Sequence, residues 1–109
     1  MTREEVDTLV AGIGLPYAYY QFKEGTKRAA PYIVFFYSLN RDIYADNSNF
    51  VDREQLNIEL YTKTRDFDLE KTVEDILKLN GFSYYKEYSY IDSEHIWQIA
   101  YEMEVIINE

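Results

Sequence analysis

The sequence predicts an α+β domain: a single, largely antiparallel β-sheet with two helices packed on one face. Three observations lead there. Two segments carry apolar residues at helical spacing, one at the N-terminus and one after Asp66, whereas most of the remainder carries alternating or continuous apolar runs of strand length. The regular strand–helix–strand repeat that a parallel sheet needs is absent. The chain has 109 residues, enough for one domain and too few for two, so residues 1–109 form one unit.

The elements follow in order. Thr2 and Glu5 have the spacing of a capping box, in which each side chain satisfies a backbone N–H at a helix start. Val6, Leu9, Val10 and Ile13 then form one apolar stripe, and Gly12, Gly14 and Pro16 stop the helix. Tyr17 to Phe22 is mostly aromatic and reads as a strand; Lys23 to Ala30 is a polar loop. Pro31 opens the run Tyr32-Ile33-Val34-Phe35-Phe36-Tyr37, whose unbroken apolar character predicts a strand covered on both faces.

Between Arg41 and Asp52 the turn formers Asp46-Asn47-Ser48-Asn49 separate Ile43-Tyr44 from Phe50-Val51, the pattern of a hairpin tip or extended arm. Leu56, Ile58 and Leu60 alternate with Gln55, Asn57, Glu59 and Tyr61 as in a half-buried strand. The second helix has Asp66 or Asp68 as its cap, Leu69, Val73, Ile76 and Leu77 as its stripe, and Asn80-Gly81 as its end. Tyr84 to Ile91 is strand-like without showing which face is inside, and Asp92-Ser93-Glu94 is a turn. In the last strand Trp97, Ile99, Tyr101, Met103, Val105 and Ile107 share one face, and Gln98, Glu102 and Glu104 the other. The predicted order is helix, three or four strands, helix, two strands.

Composition bounds the function. Eleven basic against twenty acidic side chains give a net charge of −9, which opposes a direct grip on nucleic acid or an anionic membrane. Hydrophobic residues at 47% exceed what a disordered chain carries, yet charges interrupt every stretch long enough for a membrane span. With no Cys, disulfide scaffolds, thiolate metal sites and thiol nucleophiles are excluded, and a reducing cytosol is permitted. The first residues, Met1-Thr2-Arg3-Glu4-Glu5-Val6-Asp7, lack an apolar core, so no signal peptide is expected.

Catalytic patterns are weak. His95 follows Asp92-Ser93-Glu94, where a carboxylate neighbour could orient an imidazole, but the sequence holds no second His for a metal and no nucleophile elbow. It reads as a turn-flanking structural residue. Asp42, Asp46 and Asp52 lack the Gly and closing Glu of an EF-hand, and read as a solvated turn. Glu102 and Glu104 lie on one strand face about 7 Å apart, the pattern of an acid–base pair but more simply of a wet sheet face. Gly12-Ile13-Gly14 follows a helix where a dinucleotide loop would precede one.

Tyr is abundant, with twelve copies including Tyr19, Tyr20, Tyr84, Tyr85, Tyr88 and Tyr90. Two explanations stand level: Tyr is enriched at protein interfaces, and strands favour aromatics. Charge is lopsided, with five basic and four acidic residues in 1–41 against six and sixteen in 42–109. An acidic surface of this kind would repel DNA phosphates or select a basic partner, and it also serves ordinary solubility.

The stretches Pro31-Tyr32-Ile33-Val34-Phe35, Asp42-Ile43-Tyr44-Ala45-Asp46-Asn47, Leu56-Asn57-Ile58-Glu59-Leu60-Tyr61-Thr62 with Arg65-Asp66, and Ile91-Asp92-Ser93-Glu94 leading to Gln98-Ile99-Ala100-Tyr101-Glu102, taken in this order and spacing, resemble the tail-completion, head-to-tail joining or tail-terminator proteins of long-tailed bacteriophages and prophages. The resemblance implies a subunit without catalysis or cofactor that assembles, commonly as a hexameric ring, between the head connector and the tail tube. DNA would pass through without being read, and the protein would be found in the virion tail, or in the host cytoplasm during assembly. A ring requires two different patches of one subunit to meet. We expect one contact from Lys23, Lys27 and Arg28, facing acidic residues of a neighbour or of the connector, and the other from the arm of Asp42, Tyr44, Asp46 and Asn47. The rival classes are an acidic inhibitor that imitates DNA, or another small protein-binding module, and a small hydrolase built on His95 with Asp92 or Glu94.

Overall fold

Both helices form where their caps are written. A computed structural model describes residues 1–22, 29–38 and 52–108. Helix α1 (Arg3–Ala11) starts at Thr2, whose hydroxyl accepts from the Glu5 N–H while the Glu5 carboxylate accepts from the Thr2 N–H. It stops at Gly12, and its stripe of Val6, Leu9 and Val10, with Ile13 beyond the end, is buried. Helix α2 (Phe67–Leu79) is capped by Asp66, not Asp68: the Asp66 carboxylate accepts from the Leu69 N–H at 3.0 Å. Asn80 and Gly81, the latter at φ +81°, close it.

The strands β1 (Tyr17–Tyr19), β2 (Tyr32–Ser38), β3 (Asp52–Thr62), β4 (Tyr85–Ile91) and β5 (Ile96–Ile107) form one five-stranded sheet in the order β1-β2-β3-β5-β4. All neighbours are antiparallel except β1 and β2. The architecture is therefore the α+β class that the apolar patterning predicts.

Register explains which residues meet. Ile33, Leu60 and Ile99 lie side by side across the sheet, as do Phe35, Ile58 and Tyr101. Together with Leu56, Met103, Val105 and Ile107 they form the face that receives the stripes of both helices in one continuous core. Each of these side chains contributes roughly 1.5–3 kcal/mol when fully removed from water, so the two stripes hold the helices to this face and no other.

On the opposite face Tyr32, Val34 and Ile96 form a smaller buried cluster with Phe22, Ala30, Phe36, Tyr61 and Ile91. Burial on both faces accounts for the unbroken apolar run of β2.

Three details differ from the sequence expectation. The strand read over Tyr17 to Phe22 ends at Tyr19, because Tyr20 turns to φ +70° and leaves the extended region. Strand β3 begins at Asp52, the last residue assigned to the arm, and three strands precede α2 among the described residues. Asn57, expected on a wet face, is buried, and its amide donates to the Ser38 hydroxyl of the neighbouring strand. The remainder of the arm and any fourth strand within it lie outside the described residues.

Candidate functional site

Strand β4 is one edge of the sheet, and among the described residues no strand pairs with its outer backbone. It is also where aromatic side chains meet water. Tyr85 is 64% exposed, Tyr88 60% and Phe67, at the start of α2, 67%. Edge strands normally carry charge to discourage pairing; of the seven residues of β4 only Lys86, which is engaged by Glu70 and Glu74, and Glu87 are charged, and three are Tyr.

The rings of Phe67 and Tyr88 are fixed from beneath by a charged cluster. The loop between β3 and α2, held by the Asp66 cap, delivers Arg65 toward the sheet. The Arg65 guanidinium lies over the rings of Tyr88 at 4.2 Å, Phe67 at 4.8 Å and Trp97 at 5.4 Å. Tyr90 meets Trp97 edge-on at 5.3 Å. Cation–π and edge contacts of this kind contribute about 0.5–1 kcal/mol each at a surface, enough to hold a ring in one orientation.

Arg65 is itself anchored by Glu70, which is 1% exposed despite its charge. Nε and one terminal nitrogen of Arg65 donate to the two carboxylate oxygens at 2.9 and 3.0 Å. The Lys86 ammonium, from β4, reaches Glu70 at 2.9 Å and Glu74 at 2.7 Å. The Tyr101 hydroxyl donates to Glu74 at 2.8 Å. Burial pushes the Glu70 carboxyl up, but the hydrogen bonds from Arg65 and Lys86 outweigh it and hold the group below its ordinary value. The bond to Glu70 raises Arg65 in turn. Burial, reinforced by Glu74, pushes the Tyr101 phenol up, so it stays neutral and remains a donor.

The residues singled out from the sequence fare differently. Lys23, Lys27, Arg28, Asp42, Tyr44, Asp46 and Asn47 all lie outside the described residues. His95 is the last residue of the four-residue turn joining β4 to β5 and takes the left-handed conformation, φ +53°. It lines a cavity of about 160 Å³ with Lys63, Glu94, Tyr32 and Ala30. Among the described residues no carboxylate hydrogen-bonds to its imidazole, and Asp92 is not in the lining.

Glu102 and Glu104 have different neighbours: Glu104 faces Arg53 at 3.7 Å, and Glu102 lies near Glu59, whose carboxyl is raised first by burial and also by that neighbouring charge. Among the described residues no group of three or more His, Asp or Glu is arranged to hold a metal, and no helix is long and apolar enough to cross a membrane.

Sequence reasoning gave no site role to Arg65, which it quoted only within the resemblance, and none to Glu70, Glu74 or Lys86. One signal was available. Glu70 stands at helical spacing from Val73 and Leu77 on the apolar stripe, where a carboxylate demands a buried cation. Its partners come from a loop five residues earlier and a strand sixteen later, and no local pattern names them. No protein-family model, curated protein or solved structure matches this chain.

Proposed function

We propose that this chain is a structural subunit of a long-tailed phage or prophage, completing the tail and joining it to the head connector as a ring through which DNA passes. The observation that carries this reading is the aromatic edge of β4. Exposed Tyr85, Tyr88 and Tyr90 with Phe67 offer apolar area with polar tips, as docking surfaces do, and Arg65 and Trp97 hold three of the four rings in place before any partner arrives. The net charge of −9 suits a channel that must not retain DNA. The sequence resemblance supplies the viral setting.

The test is direct. Purified protein at high concentration, alone and mixed with a tail-tube or connector protein, is examined by electron microscopy and native mass spectrometry. Ring-shaped particles that form with those partners, together with the chain's presence in purified virions, are the expected results. Virions that lack the chain, or a turnover reaction lost on His95→Ala, would overturn the reading.

A further inference from the structure

We infer that the free chain pairs with a second copy of itself through β4, antiparallel and centred on Tyr88. The inference rests on reading the β4 edge as an assembly surface and concerns the free chain: this same-patch, twofold contact is distinct from the two-patch contacts of a ring and opens when β4 docks on a ring partner.

Strand β4 carries one Lys and one Glu in a chain of net charge −9, so it is the neutral edge of an acidic molecule. Opposing two copies of this edge brings no net charge together, although residues 42–109 as a whole hold six basic against sixteen acidic side chains. A twofold axis normal to the sheet keeps the helices of both copies on one side and requires each residue to face a partner of the same parity. Centring on Tyr88 uses all seven residues of Tyr85–Ile91. It sets Tyr88 against Tyr88, Lys86 against Tyr90, Glu87 against Ser89 and Tyr85 against Ile91, with no like charges opposed. Shifting the axis one residue back puts Glu87 against Glu87.

The central ring is also prepared for the contact. Tyr88 stands over Arg65 at 4.2 Å and beside Trp97 at 6.4 Å, so little side-chain freedom remains to be lost on docking. The sheet's other edge fits less well: β1 has three residues and ends where Tyr20 turns to positive φ. Pairing also explains how an aromatic edge of zero net charge escapes open-ended aggregation, since a twofold contact closes at two copies. Two seven-residue strands bury less than the ~800 Å² per partner of a standard interface, so association is of the weak class and is best read at roughly 100 µM protein.

Because the chain has no Cys, single cysteines report register without background. Under mild oxidation by copper–phenanthroline, Tyr88→Cys is expected to form a covalent dimer, at least tenfold faster than Thr8→Cys on the exposed side of α1. A mixture of Glu87→Cys and Ser89→Cys is expected to favour the mixed dimer over either homodimer. Sedimentation velocity of the unmodified protein supplies the second readout, with Tyr88→Lys weakening self-association about tenfold by placing two ammonium groups opposite each other.

A strictly monomeric protein at 100 µM, equal rates for Tyr88→Cys and Thr8→Cys, or preferential coupling of Tyr88→Cys to Tyr19→Cys on β1 would each overturn the inference. None of these measurements involves the connector or the virion. A chain absent from virions that still dimerises through Tyr88 removes only the viral reading, and a monomer found in virions removes only the dimer.

Discussion

Arg65 grips Glu70 through two parallel N–H···O bonds of 2.9 and 3.0 Å, although the carboxylate is 1% exposed to solvent. This pair joins the core to the aromatic edge: its carboxylate is inside the α2 contact, and the other face of its guanidinium carries Tyr88 and Phe67. Removing one partner of a buried pair leaves the other charged and dry. Arg65→Ala is expected to lower the unfolding free energy by about 2–3 kcal/mol, less than the largest known cases because Lys86 still reaches Glu70. Arg65→Lys keeps the charge but loses the fork and the stacking, and should cost about 1 kcal/mol. Urea unfolding of both variants checks the ranking.

Acid should act through the same carboxylate. The folded protein holds Glu70 below its ordinary 4.5, so its contribution is fully present above that pH and is lost as pH falls through the lower folded value. Glu70→Gln is expected to be less stable than the parent at pH 7, by about 2 kcal/mol, with the gap narrowing below pH 4. Urea midpoints measured from pH 3 to 7 would show the two curves converging in acid.

Glu59 has the opposite sign. Burial first, and the charge of Glu102 in addition, raise its folded value above 4.5, so it favours folding in acid and opposes it as pH rises through the raised value. The Tyr61 hydroxyl donates to its carboxylate at 2.9 Å, an acceptor that Gln retains. Glu59→Gln should therefore stabilise at pH 7 by a few tenths of a kcal/mol, because the group is only partly buried and water screens it. The gain should vanish at pH 3, measured in the same way.

Thr62, at the end of β3 opposite Trp97, is buried with no hydrogen-bond partner for its hydroxyl among the described residues. Thr62→Val has nearly the same shape and removes the unmatched polar atom. A gain of about 1 kcal/mol is expected, visible as a higher urea midpoint at unchanged slope.

His95 separates a structural from a chemical role. At φ +53° a Cβ costs roughly 1–2 kcal/mol, most for β-branched residues. His95→Gly should match or exceed the parent in thermal stability, and His95→Val should lose about 1–2 kcal/mol. A His95→Gly protein that folds normally but no longer performs the joining proposed above would contradict a purely conformational role.

The cap and stop of α1, the stop of α2, the apolar stripes of both helices and the inward residues of β3 and β5 were legible in the sequence, because caps and period-two or period-3.6 patterns are local signals; the choice of Asp66 over Asp68 as the α2 cap was not. Strand order was not. The partners of β5, namely β3 on one side and β4 on the other, depend on which apolar faces find each other after collapse. Tyr85, Tyr88 and Tyr90 look like any strand aromatics in one dimension; only their place on the outermost strand exposes them.

The sequence by itself determined the α+β class, where both helices stop, the acidic balance and the absence of thiol chemistry. The tertiary structure alone decided that Arg65, Glu70 and Lys86, scattered over a loop, a helix and a strand, share one buried charge cluster, and that β4 is an edge. The physical reason is range. Capping and periodicity act within one or two turns, whereas a buried carboxylate and an unpaired strand edge are properties of which segments exclude water from each other.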